Sequence, residues 1–249
     1  MPRYWEILQI ADTVIETLKD IGIRDCCFIG GMACKLYTSG DSRQPKVRYC
    51  GDSEKRAYIR PFADRLDQDL DILCLTPYPG GAEAIKRELC AEDNRFYTVE
   101  ARNPNDWWKV LYWHTGRDEP GFERFKIDIL VPGVMDLPNI HPDYIVKIDR
   151  LPCAPLALLL LHKLQGWDER RNSRRPDFLA KIPGDVQDIA YLLRIANQRG
   201  LNITKPKPYI TDSFRSISYE RIIEFSYQHQ EYASLWMGLG FPNPLEGYS

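Results

Sequence analysis

The sequence predicts an α+β protein, with strands filling residues 1–150 and helices filling residues 151–249. Short apolar or alternating runs at 26–29, 70–75, 95–100, 107–114 and 125–131 read as strands. From Pro155 onward the apolar residues recur at helical spacing instead. Gly and Pro mark the changes, as at Gly30-Gly31 and Pro77-Tyr78-Pro79-Gly80-Gly81.

Trp5, Leu8, Val14, Ile15, Leu18 and Ile21 lie on one side of an amphipathic opening helix. Cys26-Cys27-Phe28-Ile29 is a short apolar strand that stops at the two glycines, and Met32–Tyr37 is helical. Residues 40–64 mix Gly, Pro and charges of both signs with little periodicity, and read as a long loop, an arm or a pair of edge strands. A second strand at Leu70–Leu75 precedes a helix at Ala82–Cys90, and strands follow at Arg95–Glu100, Trp107–His114 and Phe125–Val131. The last of these alternates and then runs apolar, as an inner strand does. Leu156–Arg171 is a helix opened by Pro155, whose missing N–H does no harm there. Asp185–Gln198 is a second helix, ended by Gly200. Lys205-Pro206-Lys207-Pro208 is a stiff connector, and Ser218–Trp236 a third helix. The change of character places a domain boundary near residue 150.

Net charge is −2, so no whole-chain basic field points to nucleic acid or an anionic membrane. Charges interrupt Met1–Asp20, and the longest apolar run, Leu156–Leu161, is too short to span a bilayer. Seven cysteines without C-x-x-C spacing suit reduced, buried thiols in a cytoplasmic protein. Four scattered histidines offer no transition-metal ligand pair.

The sharpest chemical signal is Arg65-Leu66-Asp67-Gln68-Asp69-Leu70-Asp71-Ile72. Alternate residues of a strand share a face, so Asp69 and Asp71 point the same way, about 7 Å apart. Asp128, inside the apolar run Phe125–Val131, offers a third carboxylate from another inner strand. Three converging carboxylates repel unless one takes a proton or a cation joins them, and Mg²⁺ favours hard oxygens with sites left open for phosphates. The plainer alternative pairs Asp128 with an Arg of the helical half, since a buried carboxylate needs some partner. Upstream, Ile29-Gly30-Gly31-Met32 ends a strand and opens a helix, where close backbone approach and free N–H groups suit a phosphate.

Strand, Gly-Gly, helix, Arg-x-x-x-Asp-Φ-Asp-Φ (Φ, apolar) and a later strand with a third Asp together resemble the DNA polymerase β-type nucleotidyltransferase superfamily. The resemblance implies a nucleotidyltransferase-fold mixed sheet with flanking helices, followed by a helical C-terminal region. It assigns the triphosphate to Gly30, Gly31, Arg65 and Lys163. It assigns two Mg²⁺ ions to Asp69, Asp71 and Asp128, with Asp128 helping to activate the acceptor hydroxyl. Lys163-Leu164-Gln165-Gly166, Arg170-Arg171 and Asp185-Val186-Gln187-Asp188 are similar to the Lys…Arg…Asp-x-x-Asp pattern of the AbiEii-like toxin branch. The sequence departs from the superfamily in three ways. The stretch from Met32 to Gln68 is long and holds an insertion, Asp67 stands where relatives often carry Ser or Thr, and Gly31 stands where they often carry Ser.

Lys163, Trp167 and Arg170 share a helical face that suits a triphosphate. Pairing of Lys163 and Arg170 with Asp185 and Asp188, or solvation, is the structural alternative, and it is the favoured reading for Arg170, with Asp185 and Asp188 as structural partners. Trp107, Trp108 and Trp113 suit base stacking, with core packing expected for at least two of them. Arg43, Lys46, Arg48, Lys55, Arg56 and Arg60 suit a polyanion, but interspersed acids favour a solvated arm. The expected activity is Mg²⁺-dependent transfer of a nucleoside monophosphate from a nucleoside triphosphate to a small molecule, an RNA or a protein. The rival is a catalytically inactive module of the same fold, used for binding. Base preference and oligomeric state are not encoded in these motifs.

Overall fold

The alternation along the strands becomes a sheet with two unlike faces. The structure, a computed structural model, describes residues 4–39, 69–116 and 123–246. Arg65, Asp67 and the basic residues expected on the 40–64 arm lie outside the described residues. In chain order the elements are α1 (Tyr4–Asp20), β1 (Cys26–Ile29), α2 (Gly30–Ser39), β2 (Asp69–Cys74), α3 (Gly81–Glu92), β3 (Phe96–Glu100), β4 (Lys109–His114) and β5 (Arg124–Leu130). Then come β6 (Val146–Ile148), β7 (Leu151–Cys153), α4 (Leu156–Arg171), α5 (Pro176–Leu179), α6 (Ile182–Gln198), α7 (Asp212–Gln228) and α8 (Ala233–Gly238).

The seven strands form one mixed sheet in the order β3-β4-β5-β2-β1-β7-β6. β2 runs parallel to β5 and β1 parallel to β7, while the other neighbours are antiparallel. The expected α+β mixed sheet with a helical C-terminal region is therefore what the chain adopts. On one face Leu70, Ile72, Phe96, Leu111, Phe125, Ile127 and Ile129 are buried. Helix α3 packs on β3 and β5 there, with α1 against it. On the other face α2 packs on β2, and α4 and α6 pack on α2. That cover stops at β2, because Asp69, Asp71, Tyr97, Tyr112, Lys126 and Asp128 are only half-buried.

The helical half holds together by aromatic and leucine packing. Leu158–Leu161, Leu164 and Trp167 of α4 are buried with Leu192, Leu193, Phe225 and Trp236. The Tyr37 hydroxyl donates to the Ala154 carbonyl at 2.9 Å, fastening α2 to the segment between β7 and α4.

Several expectations are corrected. Strands β6 and β7 were not foreseen, and β7, beyond residue 150, joins the same sheet as β1. The expected third helix starts at Asp212 and breaks after Gln228, where a short 3-10 turn precedes α8. Of the three tryptophans only Trp113 is core: Trp107 and Trp108 are 79% and 42% exposed. They precede β4, which starts at Lys109, so no sheet face receives them. All six cysteines among the described residues are free thiols, and five are buried. Among the described residues no helix is long and apolar enough to cross a membrane.

Candidate active site

The register of two strands, distant in sequence, sets the site. Parallel pairing places Asp69 beside Lys126 and Asp71 beside Asp128. Paired residues on neighbouring strands share a face and lie about 4.8 Å apart. Asp69, Asp71 and Asp128 thus share the half-open face, at the edge of the helical cover. On the other side of β2, Ile29 pairs with Asp71, so the chain turns into α2 directly beside that carboxylate.

Gly30 is required at that turn. Its φ of +59° lies in the left-handed region, and a Cβ there would overlap the Asp71 carboxylate outright. The first turn of α2 therefore starts against the acidic side chain. Gly31 follows within the same turn, where free helical N–H groups gather.

The electrostatics follow from burial and from this placement. The Asp71 carboxyl is pushed up from 3.8 to about 6, first by burial and next by Asp128, with Asp69 adding to the rise and Lys163 and Lys126 opposing it. Lys126 makes an ion pair with Asp128, and the two side chains are 32% and 35% exposed. Burial works against the Lys126 charge, but Asp128, and then Asp69 and Asp71, outweigh it and hold its pKa above the ordinary lysine value.

Mg²⁺ fits this donor set in kind, since the groups are hard carboxylate oxygens on one face and an ammonium already stands among them. As placed, no group of three His, Cys, Asp or Glu among the described residues converges on a single metal position. A divalent ion would require the Lys126 ammonium to leave and the carboxylates to turn inward.

The helical half supplies a second charged layer. Lys163 on α4 donates to Asp188 on α6 at 2.6 Å, and both side chains are largely buried. Arg170 pairs with Asp185, one turn earlier on α6. Lys163 also lies close enough to Asp71 to lower its pKa. The structural alternative is thus what the chain adopts: Lys163 and Arg170 pair with Asp188 and Asp185, and Trp167, expected on the same helical face, is fully buried.

Lys126 is the residue that sequence reasoning missed. It precedes Asp128 by two, and the spacing that joins Asp69 to Asp71 puts it on the same face. The same period extends the face outward. Tyr112 pairs with Lys126 and Tyr97 with Tyr112. The two rings stack with centroids 5.8 Å apart, and the Arg124 guanidinium lies 4.3 Å from the Tyr112 ring.

No family model matches the chain, and no curated protein matches it. Its fold is similar to the crystal structure of an antigenic nucleotidyltransferase-like protein from Paracoccidioides brasiliensis. The TM-score is 0.61 at 14% identity, and the match covers 95% of this chain and 94% of that one. At that identity the likeness is one of fold, and the mixed sheet with its helical C-terminal region is a nucleotidyltransferase-like fold.

Proposed function

We propose that the chain is a Mg²⁺-dependent nucleotidyltransferase that moves a nucleoside monophosphate from a nucleoside triphosphate to an acceptor hydroxyl. The observation that carries this reading is the side-by-side register of Asp71 and Asp128 next to the Gly30 turn. It joins an acidic pair to a helix N-terminus, and so a place for cations to a place for phosphates. Asp69, Asp71 and Asp128 would hold the ions, which when bound stabilise the attacking and leaving oxygens of an in-line displacement. Gly30 lets the backbone come close to the triphosphate, and the first N–H groups of α2 bind it. Lys163, anchored by Asp188, presents a fixed positive charge toward the same cleft. Asp128, on the strand at the open side of β2, would take the proton of the acceptor hydroxyl once Lys126 has left it. The acceptor oxygen bonds to the α-phosphorus, the bond to the bridging oxygen breaks, and pyrophosphate leaves. The Lys…Arg…Asp-x-x-Asp order across α4 and α6 supports the AbiEii-like branch. The helical residues 151–249 would then form one wall of the nucleotide cleft.

One observation favours the second reading, a catalytically inactive module: Lys126 engages Asp128 in place of a cation. The two separate in one experiment. Purified protein is incubated with Mg²⁺ and triphosphates labelled at the α or the γ phosphate, together with RNA, protein and small-molecule fractions. Transfer of α label, release of γ label as pyrophosphate, and loss of both in Asp69→Asn and Asp71→Ala support transfer. Nucleotide binding without label transfer to any fraction supports the inactive module.

A further inference from the structure

We infer that Lys126 is a built-in stand-in for the metal: its ammonium holds the carboxylate cluster together in the metal-free chain and must be displaced before a divalent ion binds. The inference rests on the metal site proposed above. Lys126 emerges from the same strand and the same face as Asp128, beside Asp69, and pairs with Asp128. A single ammonium therefore pairs with Asp128 on the face that also carries Asp69 and Asp71, acids that would otherwise repel. Its side chain is 32% exposed and borders the open part of the sheet, so a path outward exists. The same placement accounts for the spread of the three acids: among the described residues no group of three His, Cys, Asp or Glu converges on one metal position. A carboxylate engaged by an ammonium has its oxygens turned to that partner rather than inward.

Two consequences follow. A divalent ion alone binds weakly, because it must eject a cation already in place. A nucleoside triphosphate relieves that competition by offering the displaced ammonium a new anionic partner, so ion and nucleotide bind cooperatively. Lys126 thus couples loading of the metal to arrival of the substrate.

The test is direct binding of Mn²⁺, a paramagnetic substitute for Mg²⁺, followed by magnetic resonance of the free ion with no nucleotide present. Wild type, Lys126→Gln and Lys126→Arg are compared, and Asp71→Asn in the Lys126→Gln background locates the ion. Lys126→Gln is expected to tighten Mn²⁺ binding by about fivefold or more, the Coulomb effect of one unit charge a few ångströms away in a wet site. Lys126→Arg, which keeps the charge, stays close to wild type. The improvement by ATP of Mn²⁺ affinity is large in wild type and shrinks in Lys126→Gln. Equal or weaker Mn²⁺ binding by Lys126→Gln, with the ion still lost on Asp71→Asn, overturns this inference and leaves the metal site standing. Binding that ignores Asp71→Asn, or no binding by any variant, overturns the metal site and the inference together. Thermal melting confirms that each variant is folded.

Discussion

Asp71→Asn separates stability from chemistry most cleanly. In the folded chain the Asp71 carboxyl is pushed from 3.8 to about 6, by burial first and then by Asp128. A carboxyl whose folded pKa is raised favours folding only while protonated. Its contribution is complete below pH 3.8, falls between 3.8 and about 6, and is gone above that. At roughly 1.4 kcal/mol per pH unit, the ionised residue costs the native state about 3 kcal/mol at neutral pH, an upper figure because the site is half-solvated. Asparagine has the shape of the protonated acid at every pH. The variant should therefore match wild type near pH 4 and exceed it above pH 6. Each kcal/mol moves the melting temperature of a chain this size by roughly 2–4 °C, so a gain of several degrees is expected. The assay is thermal denaturation in a chelator from pH 4 to pH 8, repeated with Mg²⁺. Added Mg²⁺ should raise wild type and leave the variant unmoved. A variant no more stable than wild type at pH 7.5, or a gain that does not close toward pH 4, would refute the raising of the Asp71 carboxyl by burial and its acidic neighbours.

Three other substitutions probe the parts around it. Gly30→Ala forces a side chain into a left-handed backbone and onto the Asp71 carboxylate; a loss of roughly 1–2 kcal/mol from the backbone alone, with weakened Mn²⁺ binding, should appear in melting and ion titration. Lys163→Met removes the ammonium from the largely buried pair with Asp188, at a cost of up to about 3–5 kcal/mol; adding Asp188→Leu should recover part of it in urea unfolding. Trp167→Ala empties a fully buried site packed against Phe225, and a loss of about 3–5 kcal/mol by denaturant midpoint is expected.

Local patterns were legible and long-range pairings were not. The spacing of Asp69 and Asp71 states that they share a face, whatever strand lies beside them. That β5 rather than another strand lies there depends on packing after α3, β3 and β4 intervene. Lys126 obeys the same spacing, yet a lysine in sequence reads as a solvated charge until an acid is seen across from it. Strands β6 and β7 hold three residues each, with Pro152 inside β7, too short for alternation to register. The break after Gln228 hides because Phe225, Tyr232 and Trp236 keep helical spacing across it while packing into one aromatic cluster. The tryptophans misled for the opposite reason, since aromatic character says what a side chain prefers and not whether a surface reaches it.

The placement of charge explains why the cluster sits where it does. Asp128 has Lys126, Asp188 has Lys163, and Asp185 has Arg170. Asp71 makes no ion pair among the described residues and stands between two of those lysines, which lower its pKa but do not offset burial and its acidic neighbours. In a fully covered sheet such a group would stay protonated, and in an open one water would solvate it. At the edge of the cover set by α2 it is neither, and near neutral pH it can ionise at a cost. On the proposed function, a divalent ion entering from the open side would remove that cost and replace Lys126 as the partner of Asp128, so the energy that destabilises the ionised carboxylate would become affinity for the cation. Asp71 faces the opposite way from the buried Leu70 and Ile72 that flank it on β2; on the function proposed above, the cost of ionising it there is what a bound cation would relieve.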